Sequence, residues 1–156
     1  MKDTCQTNSF SFKNRKDDLI NWGVVSYVLG ILILVEAGLF AICAGVSVIY
    51  HESCYIHFVW TMLINMVIGG IMVLAGNRKG NSISRRDGYC IVSISWILFT
   101  LLGMLPFYLS GYVPSIADAF FETMSGFTTT GATILDNIES LPHGLLFWRS
   151  FTQLIG

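Results

Sequence analysis

The sequence predicts an all-α membrane protein, and three observations predict it. Hydrophobic residues make up 53% of the chain and charged residues only 12%, about half the charged fraction usual in a soluble domain. Mean hydropathy is +0.62. Apolar runs recur at lengths sufficient to cross a bilayer, for which about 20 residues are needed. Such a chain cannot cover a water-facing surface. The net charge of −1 points to no nucleic-acid partner. No nucleophile–base pair or dinucleotide motif appears, so no enzyme is expected.

The elements follow in order. Residues 1–21 are polar, with Lys2, Lys13, Arg15 and Lys16 set against Asp3, Asp17 and Asp18. Trp22 to Tyr50 is almost uninterruptedly apolar and forms a first span, longer than the apolar core of a secretory signal. Ala41-Ile42 before Cys43 lacks the small residue expected ahead of a lipoprotein cysteine, so this span is expected to be retained. His51, Glu52 and Ser53 make a short turn, and a second span runs from about Ile56 to Gly76. Residues 77–88 form a basic loop carrying Arg78, Lys79, Arg85 and Arg86. A third span covers about Tyr89 to Leu109, with Pro106 as a kink or exit signal. A further apolar stretch begins near Leu141.

Lysine and arginine gather on cytoplasmic loops of membrane proteins. The two basic segments here are separated by an even number of spans, so both can face the cytoplasm. The N-terminus is then inside, and Glu52, Asp118, Glu122, Asp136 and Glu139 fall outside.

Between Gly111 and Leu141 the pattern changes. Ser115 reads as a helix N-cap with Asp118 three positions later as an approximate capping box. The helix can continue through Met124 to a stop at Gly126. About 11 residues span only about 16 Å, half a bilayer. A re-entrant loop and an amphipathic surface helix followed by a linker both fit this composition. The uncharged run Ser125-Gly-Phe-Thr-Thr-Thr-Gly-Ala-Thr133 favours the re-entrant loop. A dehydrated alkali cation needs oxygens in place of its hydration shell, and backbone carbonyls with threonine hydroxyls supply them. Glycine adopts the unusual dihedrals this requires, and the preceding half-helix aims its carbonyl end at the cation.

Other residues carry weaker signals. Glu36, mid-span, is costly there; an ion or proton relay and a structural contact, with Asn65 as partner, are both open, the structural one favoured. Ala37, Ala41 and Gly45 repeat every four positions, Gly30 and Gly38 add a second surface, and Gly69-Gly70 can answer them in a packing face. His51, Cys54 and His57 have a metal-like spacing, against a plain polar turn. Cys5, Cys43, Cys54 and Cys90 show no CxxC pair, so no disulfide framework is expected. Asp118 and Glu122 lie one turn apart without a nucleophile or metal set; Glu122 is expected to bond backbone behind the run or to add negative potential at its outer mouth. Arg149, in the last apolar stretch, should face protein or water.

Ala117-Asp-Ala-Phe-Phe-Glu-Thr-Met-Ser-Gly-Phe-Thr-Thr-Thr-Gly-Ala-Thr133 resembles the first pore loop of the Trk/Ktr/HKT potassium-transporter superfamily, closest to its TrkH-type membrane subunits. Ser95-Trp96, Gly103 to Phe107 and Ser110-Gly111 resemble the helix leading into that loop. The resemblance is specific over about residues 84–156 and mostly topological before them. It implies four membrane–pore loop–membrane repeats around one pore, preceded by an extra helix pair. Residues 22–76 would be that pair and 89–156 the first repeat, with an incomplete inner helix. Thr128, Thr129, Thr130, Gly131 and Ala132 would form one selectivity-filter quadrant, with K⁺ at Thr129, Thr130 and Gly131. Ser115, Asp118, Glu122, Ser125 and Gly126 would support it. No second glycine follows Gly131, which implies a short filter.

The resemblance further implies potassium uptake across the inner membrane of a bacterium, with K⁺ as cargo and no covalent cofactor. Its partners would be membrane lipids, a second copy of the full-length subunit and a cytosolic nucleotide-binding subunit of the TrkA type. With one pore loop, the chain is expected to be a fragment of a longer protein. A non-conducting membrane adaptor is the alternative.

Overall fold

Helix α1 (Trp22–Ile49) has one charged residue and no proline, so nothing interrupts its backbone ladder over about 42 Å. The computed structural model describes residues 20–76, 85–135, 138 and 141–156. The expected positions of the N-terminal segment, of Arg78 and Lys79, and of Asp136 and Glu139 lie outside the described residues. Val25, Leu29, Ile33, Phe40, Cys43 and Ser47 recur at helical spacing and are buried, forming the inward stripe of α1. The helix begins where the Asn21 amide donates to Asp87 Oδ1 at 3.0 Å. It ends where His51 takes a left-handed φ of 54° and turns the chain back.

Helix α2 (Tyr55–Ala75) returns antiparallel against α1. The two backbones meet at Gly30 and Gly69: a Cβ on Gly30 would stand 2.9 Å from the Gly69 carbonyl oxygen, and one on Gly69 would stand 3.0 Å from that of Gly30. The expected small-residue face is corrected here. Gly38, Gly45 and Gly70 have open space where a Cβ would go, because the stripe through Ile33, Ala37 and Phe40 turns Ala41 and Gly45 outward. Gly30→Val is therefore expected to force the hairpin apart and cost about 1–3 kcal/mol by overpacking. Gly38→Val should be tolerated, a contrast readable from thermal melting in detergent.

Helix α3 (Arg85–Gly103) and helix α4 (Leu105–Leu109) are one span broken at Met104. The span starts four residues before the expected Tyr89, because Arg85 and Arg86 enter the first turn instead of staying in the loop. The break follows from Pro106, which cannot donate to the carbonyl four residues earlier. Beside the break, the Gly103 carbonyl accepts from Trp148 Nε1 at 2.9 Å. Helix α5 (Ile116–Phe127) and helix α6 (His143–Ile155) complete the chain.

Trp148 of α6 is fully buried. Its ring lies 4.3 Å from that of Phe40 and meets Phe127 edge-on at 6.2 Å. The core thus joins the N-terminal hairpin, the broken span and both later helices. Trp22–Ile49, Tyr55–Ala75 and Arg85–Leu109 are each long and apolar enough to cross a membrane. Leu74, Ile71, Val67 and Ile49 stand exposed on them, as lipid-facing side chains do. The described residues form helices and connections without strands, the all-α membrane fold that the composition predicts.

Candidate functional site at the end of helix α5

Helix α5 has the expected cap: Ser115 is extended (φ −83°, ψ 126°) and its hydroxyl accepts the Asp118 amide. At 12 residues it is about 18 Å long, far short of a bilayer. It runs one residue past the expected stop. Gly126 stays helical and buried, and the cap falls on Thr128. The reason is packing: the face of Gly126 is occupied by the Thr152 hydroxyl of α6, in the space a Cβ would need.

Beyond the cap the backbone leaves every regular conformation. Thr129 has φ 54° and Gly131 φ 72°. The left-handed region is easy for glycine and strained for a β-branched residue. The sequence anticipates the turn at Gly131 and misses the one at Thr129, for which no residue-type signal exists. The amides of Thr130 and Gly131 both point back to the Ser125 carbonyl, at 3.0 and 3.4 Å, and that of Thr129 to Gly126. Among the described residues no donor reaches the carbonyl oxygens of Thr129, Thr130 or Gly131. Thr128 to Thr133 are all exposed. The Thr128 hydroxyl donates to the Met124 carbonyl at 2.8 Å and lies 2.9 Å from that of Thr130. Ser125 Oγ donates to the Ala132 carbonyl at 2.6 Å, tying the far side of the run to the helix.

Glu122 anchors the exit. It is buried, and its carboxylate accepts the Thr133 hydroxyl at 3.0–3.1 Å and the Ile134 amide at 3.2 Å. Arg149 Nε of α6 donates to the same carboxylate at 2.5 Å. This assigns Arg149 a partner and corrects one expectation for Glu122. Its charge is neutralised inside the protein and does not stand free at a mouth. Asp118 remains in the first turn of α5, where an acidic residue favours the helix dipole.

Other expected contacts are not made. Glu36 and Asn65 are both buried, yet neither is bonded to the other or to another described residue. Glu36 instead turns toward the α3 end, where a Cβ on Gly103 would lie 3.3 Å from its Oε1. His51, Cys54 and His57 are not gathered into a metal-holding group among the described residues.

At the α1–α2 turn, Glu52 has a role that the sequence does not suggest. Its carboxylate accepts the His143 and Gly144 amides at 2.7 and 3.1 Å and lies 2.8 Å from His143 Nδ1. It thus caps the N-terminus of α6 from another element, while Tyr50 stacks flat on His143. Burial pushes the Glu52 carboxyl up, but the His143 and Gly144 amides and the His143 ring outweigh it and hold it below the ordinary 4.5. A depressed value stabilises the fold above pH 4.5, and that contribution fades as pH falls through the lowered value. Glu52→Gln is expected to cost about 1 kcal/mol at neutral pH. The gap in melting temperature between parent and variant should close as acid protonates the parent.

Residues 55–156 match the TrkH family of cation transport proteins. The chain belongs to that family. Among relatives of this TrkH-family chain, the Trk system potassium uptake protein TrkH of Salmonella typhimurium is 33% identical over 138 residues, 88% of this chain and 29% of the relative. An uncharacterized cation transporter of Methanocaldococcus jannaschii is 35% identical over 134 residues, covering 86% and 26%. The crystal structure of the potassium transporter TrkH from Vibrio parahaemolyticus superposes with a TM-score of 0.79 at 30% identity, over 86% of this chain and 29% of that one. The chain therefore spans less than a third of these relatives' lengths. Coverage this broad takes in the N-terminal helix pair, where the sequence alone offers topology and little else. The family and the relatives named for a transport activity are all described as cation or potassium transport proteins.

Proposed function

We propose that this chain works in potassium uptake and supplies one of four selectivity-filter quadrants. One observation carries the reading. A half-length helix ends at a run whose left-handed Thr129 and Gly131 leave successive carbonyl oxygens without a donor among the described residues. Amides turned inward and carbonyls left outward are what a cation stripped of water requires. The C-terminal end of α5 adds partial negative charge to the same place. Thr129, Thr130 and Gly131 would face K⁺, Thr128 and Ala132 would flank them, and Ser115, Asp118, Glu122, Ser125 and Gly126 would hold the run. Relatives named as potassium uptake proteins support the choice of ion.

In this reading the N-terminus and the 77–88 loop face the cytoplasm of a bacterium. The α1–α2 turn, the start of α5 and the Glu52 cap then lie outside. A second copy and a cytosolic nucleotide-binding subunit are the proposed partners, with lipid covering α1, α2 and α3. The test is growth of a host lacking its own potassium uptake on low-potassium medium, with rubidium uptake measured alongside. Rescue by the protein as its gene encodes it is the expected result. Protein present in the membrane with neither growth nor uptake would overturn the proposal and favour the adaptor.

A further inference from the structure

The exit of the proposed filter is held by a side chain that is itself held by α6. We infer that Arg149 is a positioning residue for ion discrimination, acting through Glu122 on Thr133 and Ile134; this rests on reading Thr128–Ala132 as a filter quadrant. Three separate segments meet at one buried carboxylate: α5 at Glu122, the exit segment at Thr133 and Ile134, and α6 at Arg149. The Thr133 hydroxyl passes the constraint on, accepting the Leu135 amide at 3.1 Å while it donates to Glu122.

The chemistry of each group specifies its place. The hydroxyl and the amide are donors, so the group between them must accept. A carboxylate buried to this degree needs a counter-charge, and the guanidinium supplies one in fixed geometry. The side chain of Glu122 is 1% exposed and that of Arg149 is 16% exposed, so water does not screen the pair as it would at a surface. A shift or rotation of α6 therefore either carries the exit segment with it or breaks the pair. The filter oxygens at Gly131 lie two residues before Thr133, and the Ser125–Ala132 bond leaves little slack between them. Ion discrimination and the position of the inner helix become one quantity.

The test uses Arg149→Gln, Arg149→Lys, the exchanged pair Glu122→Arg with Arg149→Glu, and Thr133→Val, each in the protein as encoded. Uptake of potassium and sodium is measured across concentration, with membrane abundance alongside. Arg149→Gln is expected to raise the KM for potassium and lower its preference over sodium by about tenfold, with Arg149→Lys between it and the parent. The exchanged pair restores the opposite charges yet offers donors to Thr133 and Ile134, so discrimination should stay lost. A merely structural ion pair would instead be rescued by the exchange. Thr133→Val leaves the pair intact and removes one hydroxyl, so it should lower the preference even if the charge variants fail to fold. Parental discrimination in Thr133→Val, or full rescue by the exchange, would overturn the inference. A parent that carries no ion would overturn the filter reading itself, and this inference with it.

Discussion

Gly131→Ala is expected to reduce potassium uptake by at least about tenfold while leaving the amount of protein in the membrane unchanged. The methyl group has room, since the nearest atom to a Cβ at Gly131 is Gln153 Nε2 at 3.9 Å. The cost comes from the backbone alone. At φ 72° an L side chain pays about 1–2 kcal/mol. Rotation to negative φ relieves this and swings the adjoining peptides out of the proposed filter. A loss of about 1.4 kcal/mol where the ion is coordinated corresponds to a tenfold rate. The measurement is rubidium influx per unit of protein, with Gly38→Ala and Gly126→Ala as references. At Gly38 the space is open and the helix is regular, so nothing should change. At Gly126 the Cβ collides with Thr152, so abundance should fall first. Normal influx in Gly131→Ala would mean that the left-handed turn does not shape the ion path.

Trp148→Ala is expected to be the most destabilising of the substitutions considered, at about 3–5 kcal/mol. Its ring fills the space between Phe40 and Phe127, and its N–H donates to the Gly103 carbonyl beside the break in the third span. Removing it leaves a cavity and an orphaned acceptor together. Trp148→Phe separates the two effects: ring packing is largely kept, and the lost hydrogen bond costs about 1 kcal/mol. Thermal melting in detergent should place the phenylalanine variant much nearer the parent. If the two variants melt together, the hydrogen bond outweighs the packing.

Much of the candidate site was legible in the sequence because its signals are local. Ser115 and Asp118 mark a helix start, about eleven residues set a half-bilayer length, and the threonine–glycine run announces oxygens without charge. What went unread depends on residues brought together from a distance. Arg149 looked like a misplaced charge until α6 laid it against Glu122, 27 positions earlier. Glu52 looked like part of a polar turn until its carboxylate reached His143 and Gly144, over 90 residues on. Gly126 looked like a stop, whereas its lack of a side chain serves the contact with Thr152.

Periodicity in the small residues misled for a related reason. Ala37, Ala41 and Gly45 share a spacing, but spacing states only that they share a face. Which face meets α2 follows from where the bulkier stripe of Val25, Ile33 and Phe40 is buried, and that sets the crossing at Gly30 and Gly69.

Composition, periodicity and capping are properties of neighbouring residues, so the chain alone was enough for an all-α membrane fold, its spans, its half-helix and the place of the candidate threonine–glycine run. The partners of Glu122, Glu52 and Trp148 lie tens of residues away. A buried charge or an open carbonyl accepts whichever complementary group the packing delivers, and no local rule names that group in advance.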